Sequence, residues 1–310
     1  MNKNQRITEF QSLVSANHGS IIAAFDSAWS GITSTGEVDR LKDFLREPNK
    51  GIHSLNSILP PLFISNGYEV KFASILVHAT PIVIPLDNFK KKIRKKGLHA
   101  NPELGDLDVI FLFLDAAKRV QSARSILYQA KQKRISDTVA INQAHQRYIY
   151  ETAQGFEYRD GPFAGEARQL PIAGQRRKGL HYLFVSEQPV SCSPIPANSP
   201  AYIPWSESMF RFLLDAEGIG IAAGKARGNG WSKIHQDLTH IFRNDQQLRT
   251  HNISELASWF NSFKDPNHWH AEADKRSFGV NTMFIIVRDE KLDGSGQSKL
   301  KRLRLIRLRE

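Results

Sequence analysis

Two neighbouring apolar stretches in the middle of the chain constrain the fold more than any other feature of this sequence. Residues 106–114 read Asp-Leu-Asp-Val-Ile-Phe-Leu-Phe-Leu, and every position after the second acid is apolar. A short apolar run of this kind is typical of a central strand that is buried on both faces. The stretch 124–131, Arg-Ser-Ile-Leu-Tyr-Gln-Ala-Lys, predicts a second strand, with a polar turn over 115–123 between the two.

The segments on either side of this pair predict both helices and further strands. Apolar residues at helical spacing cover residues 1–48. Strand-like patterns recur at 69–84, 179–186 and 281–287. Helical patterns recur at 138–152, 206–216, 231–242 and 253–263. This mixture predicts an α/β fold in which a central mixed sheet is flanked by helices.

The length of the chain, 310 residues, allows one large domain or two small ones. No long linker or internal repeat divides it, so we expect a single domain over 1–310. Within it the pattern predicts a helical N-terminal part at 1–66 and a catalytic core at 67–190. The remainder, 191–310, is expected to hold C-terminal helices and a β-hairpin, with 299–309 as the return strand.

The charge balance favours a polyanionic partner. Lys and Arg exceed Asp and Glu by 11, and the sequence pI is about 9.7. Such a balance favours nucleic acid first, because phosphate binding needs local positive charge. Further basic groups occur at 176–178 and 299–309. The densest run is expected to bind nucleic acid and consists of Lys90, Lys91, Lys92, Arg94, Lys95 and Lys96.

Composition excludes several other classes of protein. No apolar run approaches the roughly 20 residues that span a bilayer, and residues 1–10 lack the apolar region of a signal peptide. The single cysteine, Cys192, excludes an intramolecular disulfide and a zinc site made of several thiolates. We expect a cytoplasmic protein without a membrane partner.

Acid, amide and amine side chains are expected to converge at one edge of the predicted sheet. Alternate residues of a strand share a face, so Gln129 and Lys131 point the same way, as do Asp106 and Asp108. If the two strands are neighbours, Mg²⁺ could be held by Asp106 and the carbonyl oxygen of Gln129, with Glu103 or Asp108 as a further ligand. Lys131 would then orient a water and offset negative charge on a phosphate.

The motifs Glu103-Leu-Gly-Asp106 and Gln129-Ala-Lys131 together resemble the PD-(D/E)XK nuclease superfamily, the fold of many restriction endonucleases. They look like a bacterial branch in which Gln replaces the usual Glu or Asp. The resemblance implies a restriction-endonuclease-like core in which Asp106, Gln129, Lys131 and Glu103 are the catalytic candidates. It also implies Mg²⁺, which Mn²⁺ can replace, held by Asp106, Gln129 and Glu103.

The likeness is tight over residues 103–131 and departs from the family at one point. The expected Pro-Asp pair is absent, and the nearest match, Pro102-Glu103, lies three residues before Asp106. Glu103, Asp106 and Asp108 therefore remain alternatives for the primary acid.

Other motifs predict less. The stretch from Gly218 to Ala226 lacks the Ser or Thr of a phosphate loop that binds a nucleoside triphosphate. His235 and His240 do not share a helix face, and His268 and His270 indicate the start of a surface helix. Cys192 falls in a predicted loop without the surroundings of a nucleophile.

The leading functional hypothesis is a metal-dependent DNA endonuclease. The resemblance suggests a role in restriction or defence against phage. Cutting both strands would favour a homodimer, and a defence system could supply a partner protein. The alternatives are an RNase that uses the same site and a catalytically silent module that binds nucleic acid or a protein.

Overall fold

The fold is seen in a computed structural model of the chain. The structure describes residues 2–77, 80–86, 102–132, 144–194, 202–239, 252–262, 269–273 and 278–292. The α/β fold class is confirmed: a large mixed sheet is flanked by helices. In the described part of the chain, no helix is long and apolar enough to cross a membrane.

Helices make up the first part of the chain, as the apolar spacing predicts. Their bounds are α1 Lys3–Ala16, α2 His18–Ala28, α3 Glu37–Arg46, α4 Gly51–Ile58 and α5 Pro61–Ile64. Each turns apolar residues towards the sheet; in α1 the buried ones include Phe10 and Val14. A buried ion pair between Arg6 and Asp289, with 2.6 Å between Nε and Oδ2, fixes α1 to a strand near the other end of the chain.

The strands and the later helices alternate along the rest of the chain. The strands are β1 Tyr68–Leu76, β2 Val83–Pro85, β3 Leu107–Leu114, β4 Val120–Lys131, β5 Gly155–Tyr158, β6 Ala167–Gln169, β7 Leu180–Phe184, β8 Ser191–Pro194, β9 Ile203–Pro204, β10 Ile219–Gly220, β11 His270–Glu272 and β12 Asn281–Asp289. The later helices are α6 Ala144–Glu151, α7 Ala173–Gly179, α8 Trp205–Leu213, α9 Trp231–Leu238 and α10 Ile253–Ser262.

The main sheet has the order β11-β1-β12-β3-β4-β7-β8-β9, with β10 also paired to β4. β3 and β4 are antiparallel neighbours, which confirms the pairing on which the predicted site depends. β4 and β7 are parallel, and the chain between them includes α6 and α7. The strand β12 lies between β1 and β3, so a late segment completes the centre of the sheet. A smaller sheet has the order β2-β5-β6.

Both faces of β3 are buried, as its composition predicts. Val109, Phe111 and Phe113 pack into the layer formed with the N-terminal helices. Ile110, Leu112 and Leu114 face the other layer, which includes α6, α9 and α10. The alternation follows from the two-residue period of a strand.

Several local predictions need correction. β4 begins at Val120, within the stretch predicted as a turn, because Val120 and Ser122 pair with Leu114 and Phe113 of β3, and Gln121 forms a bulge between them. Cys192 lies buried in β8 rather than in a loop. His270 begins a strand at the sheet edge, paired in parallel with β1, and not a helix. The predicted return strand 299–309 lies outside the described residues.

Candidate active site

The predicted acid and amide meet where β3 begins and β4 ends. The backbone N–H of Asp106 donates to the carbonyl oxygen of Tyr128 at 2.8 Å, which extends the β3–β4 pairing by one residue. Leu107 is opposite Tyr128, so Asp106 lies beside Gln129. The antiparallel register therefore places these two side chains on one face of the sheet.

The carboxylate of Asp106 is bound directly by β4. One oxygen, Oδ2, accepts a hydrogen bond from Nε2 of Gln129 and another from the backbone N–H of Ala130, the latter at 2.8 Å. The amide of Gln129 is therefore fixed by its nitrogen. Its carbonyl oxygen, Oε1, is buried and has no hydrogen-bond partner among the described residues. A buried acceptor without a hydrogen-bond donor raises the free energy of the folded state, so this oxygen is a candidate ligand atom.

Lys131 follows two residues after Gln129 on the same strand face. It is buried, with 6% of its surface exposed. Its backbone oxygen accepts from Val185 N–H at 3.0 Å, which anchors the strand end to the segment after β7. The ammonium charge acts on the Asp106 carboxylate and is the main influence that lowers the pKa of that acid.

Burial raises the pKa of the Asp106 carboxyl from 3.8 to about 7. Part of the residue reaches the surface, but the surrounding atoms exclude enough water to disfavour the charged form. Lys131 and the Ala130 N–H oppose this effect, whereas the neighbouring carboxylates of Glu103 and Glu37 add to it. Asp106 is thus poised between its two protonation states near neutral pH.

Two further acids therefore belong to the surroundings of Asp106. Glu103 lies on the approach to β3, where it forms a bridge with Ile82. Glu37 is the first residue of α3, and its Oε1 accepts from the backbone N–H of Gln132 at 2.9 Å. No sequence signal marks Glu37, because it lies far upstream of Asp106 and only the tertiary packing of α3 brings it to the end of β4.

Helix α6 closes the site from the other side. The hydroxyl of Tyr150 donates to the carbonyl oxygen of Leu104 at 2.9 Å, and its ring stacks on Tyr182 with centroids 5.7 Å apart. Gly105 fits beneath it, since a Cβ at that position would come within 3.0 Å of both the Tyr150 hydroxyl and Leu127. The Gly before Asp106 is therefore required by close packing.

Asp108, the third candidate for the primary acid, has a different environment. It is fully buried, and its Oδ2 lies 2.6 Å from Nδ1 of His235 on α9. Nε2 of His235 is 2.8 Å from Oγ of Ser125, which also accepts from Nε1 of Trp231 at 3.0 Å. Burial raises the pKa of Asp108, and His235 opposes this rise. His235 is thus a partner for Asp108, a role that its sequence context does not indicate.

Ser125, His235 and Asp108 contact one another in the order seen in the catalytic triad of a serine hydrolase, but their burial excludes a catalytic role. All three side chains have 0% of their surface exposed. A nucleophile must reach its substrate, and Ser125 lies beneath Trp231 and the β4–β10 pairing. The three residues form a buried polar network in the core, in which Oδ1 of Asp108 has no hydrogen-bond partner among the described residues.

The oxygen donors around Asp106 suit a hard divalent cation. The carboxylate of Asp106 and the free Oε1 of Gln129 are both ligand types that Mg²⁺ prefers, and Mg²⁺ commonly takes one or two carboxylates with waters and substrate oxygens as its other ligands. Among the described residues no group of three or more His, Cys, Asp and Glu side chains is arranged to hold a metal. The protein alone therefore supplies an incomplete shell here.

The predicted nucleic-acid-binding run, Lys90 to Lys96, lies outside the described residues and stays a prediction. Within the second basic run, Arg176 is buried and donates to the backbone oxygens of Pro171 and Ala153. Arg177 and Lys178 are exposed. Arg176 therefore has a structural role that the charge run does not indicate.

Comparison of the chain with protein-family models, with curated proteins and with solved structures found no match in any of the three. The function must therefore be inferred from the geometry of the site itself.

Proposed function

We propose that this protein is a metal-dependent endonuclease of the PD-(D/E)XK type that hydrolyses phosphodiester bonds in DNA. The observation that carries the proposal is the contact between Asp106 and Gln129, which leaves the buried Oε1 of Gln129 without a donor, next to Lys131. An acid and an amide oxygen can hold a divalent metal, and a lysine beside them can offset charge on a phosphate, so these groups can support such hydrolysis.

Asp106 and Gln129 would hold Mg²⁺, with Glu103 and Glu37 contributing negative charge nearby. When bound, the metal would lower the pKa of a coordinated water and polarise the scissile phosphate. Lys131 would orient the attacking water and offset the charge that develops on the phosphate oxygens. Tyr150 and Tyr182 exclude bulk water from the inner side of the site.

The test is a cleavage assay on supercoiled plasmid, linear duplex DNA and RNA, with Mg²⁺ or Mn²⁺ compared against EDTA. We expect metal-dependent cutting of DNA, abolished by Asp106→Asn and retained by Lys118→Met, which removes an exposed lysine from the β3–β4 turn. Cutting of RNA alone would favour the RNase alternative. Metal-independent cutting, or no cutting of any substrate, would contradict the proposal.

A further inference from the structure

The C-terminal half of the chain contributes two basic segments that contain no acid. The segments 169–180 and 218–236 hold no Asp or Glu, in a chain that has 31 of them in 310 residues. Each contains three cations: Arg176, Arg177 and Lys178 in the first, and Lys225, Arg227 and Lys233 in the second. Such a local excess of positive charge attracts polyanions.

Backbone hydrogen bonds bring the two segments side by side. The N–H of Gly218 donates to the carbonyl oxygen of Lys178 at 2.7 Å, and the N–H of Gln169 donates to the carbonyl oxygen of Asn229 at 2.8 Å. The segment 169–180, which contains α7, and the segment 218–236, which contains the loop between β10 and α9, are therefore linked at two points. The charges of the two segments belong to one region of the surface, although they are far apart in the sequence.

Four of the six cations remain available for a ligand. Arg176 donates its hydrogen bonds to backbone oxygens, and Lys233 forms an ion pair with Asp237. The remaining four are exposed and have no ion pair among the described residues: Arg177, Lys178, Lys225 and Arg227. Exposed cations without local counter-charges are the groups that replace the counterions of nucleic-acid phosphates.

The loop also leaves its backbone accessible. A Cβ placed on any of three of its glycines would meet nothing within 4 Å: Gly224, Gly228 and Gly230. Open space at the glycines beside Lys225 and Arg227 lets a phosphate approach the loop closely. The loop fails the pattern of a triphosphate-binding motif, but an extended phosphate backbone needs no such motif.

This region begins close to the candidate active site. Tyr150 contacts Leu104, two residues before Asp106, and Ala153 accepts a hydrogen bond from Arg176 at the middle of α7. Seven residues of helix extend about 10 Å, which is about the rise of three base pairs along the duplex axis. A strand whose scissile phosphate lies at Asp106 could therefore continue along α7 and the loop.

We infer that α7 and the loop between β10 and α9 form a surface that binds the phosphate backbone of DNA, with Arg177, Lys178, Lys225 and Arg227 as its phosphate contacts. This inference rests on the proposed nuclease function for its choice of DNA as the polyanion. The contacts would position the duplex without reading its sequence.

The test is fluorescence anisotropy with labelled duplex DNA in EDTA, from about 50 to 300 mM NaCl, so that binding is measured without cleavage. We expect the fourfold variant R177Q/K178Q/K225Q/R227Q to lower the slope of log K against log salt by about 2–4 and to weaken binding at least tenfold at about 100 mM salt. The matched control is K3Q/R46Q/K118Q/K291Q, which removes the same charge elsewhere and should change affinity less than about threefold.

An unchanged slope in the fourfold variant, or an equal loss in the control, would overturn the inference. Tighter binding of RNA than of DNA of equal length would overturn the choice of DNA. These results are separate from the fate of the nuclease proposal, which fails if the wild-type protein does not cut. If it does cut, the fourfold variant should raise KM and leave kcat within about twofold, because its residues lie outside the reacting groups.

Discussion

Asp106 and Asp108 are two residues apart on one strand and share a face, yet the fold gives them opposite environments. Asp108 is sealed in the core with His235, Ser125 and Trp231. Asp106 lies at the strand end, beside a lysine and an amide oxygen that has no donor among the described residues. The comparison indicates that position along the strand, at its end or in its buried middle, separates a candidate metal ligand from a structural acid, although the residue type is the same.

Neutralising Asp106 should have the largest effect on activity. Asp106→Asn removes the carboxylate that contacts Gln129, while the new amide oxygen can still accept from Ala130 N–H. We expect the rate of plasmid cleavage in Mg²⁺ to fall at least about a thousandfold, because the metal loses its strongest hard ligand. A rate within tenfold of wild type would move the role to Glu103 or Glu37.

Removing the Lys131 charge should lower the cleavage rate slightly less than neutralising Asp106. Lys131→Met retains an unbranched side chain of nearly the same length but cannot orient water or offset phosphate charge. We expect kcat to fall by about 10²–10³ with little change in DNA affinity. Single-turnover cleavage and anisotropy measure the two quantities, and Lys118→Met serves as the control. Equal kcat values in Lys131→Met and Lys118→Met would show that Lys131 has no role in the reaction.

The stability of the fold should depend more on Asp108 than on Asp106. Asp108→Ala leaves His235 buried without its partner, which should lower the free energy of unfolding by about 3–5 kcal/mol in urea titrations. Asp106→Asn should leave it unchanged or raise it, because the substitution removes a carboxylate charge that burial disfavours. If both variants lost the same stability, the contrast between the two acids would be wrong.

The smallest predicted effect is a pH dependence of metal affinity. The pKa of Asp106 is about 7 in the metal-free protein, so protons compete with the metal below that value. The affinity for Mn²⁺ should fall by about tenfold per pH unit below pH 7 and level off above it. Burial also raises the pKa of Glu217 to about 7. Its carboxyl accepts from Ser208 and is not among the groups that shift the pKa of Asp106, so Glu217→Gln should retain the pH profile of metal affinity. A profile that is flat between pH 5 and 8 would contradict this account.

The strands that carry the site could be predicted because their signal is local. The apolar run after Asp108 and the alternation through Gln129 and Lys131 determine two buried strands, and a short connection favours their antiparallel pairing. The position of β12 between β1 and β3 could not be predicted, since it depends on contacts between distant parts of the chain. A strand pattern indicates that a strand exists and does not indicate its neighbours.

The same limit explains which parts of the site were unexpected. Glu37 and Tyr150 reach the site from helices, and nothing in their local sequence indicates the strand end they approach. His235 has the helical spacing of an ordinary core residue, and only the packing of α9 on β3 reveals its partner. Sequence spacing alone could not choose between Asp106 and Asp108, because the choice depends on where burial by α9 ends.

Calorimetric titration with Mn²⁺ tests the central claim most directly, because it reports the metal site without requiring a substrate. The comparison uses wild type, Asp106→Asn and Glu217→Gln at pH 8, where Asp106 is ionised. We predict that wild type and Glu217→Gln bind Mn²⁺ equally, and that Asp106→Asn binds at least about a hundredfold more weakly. Equal affinity in wild type and Asp106→Asn would contradict the assignment of Asp106 and Gln129 as the metal site.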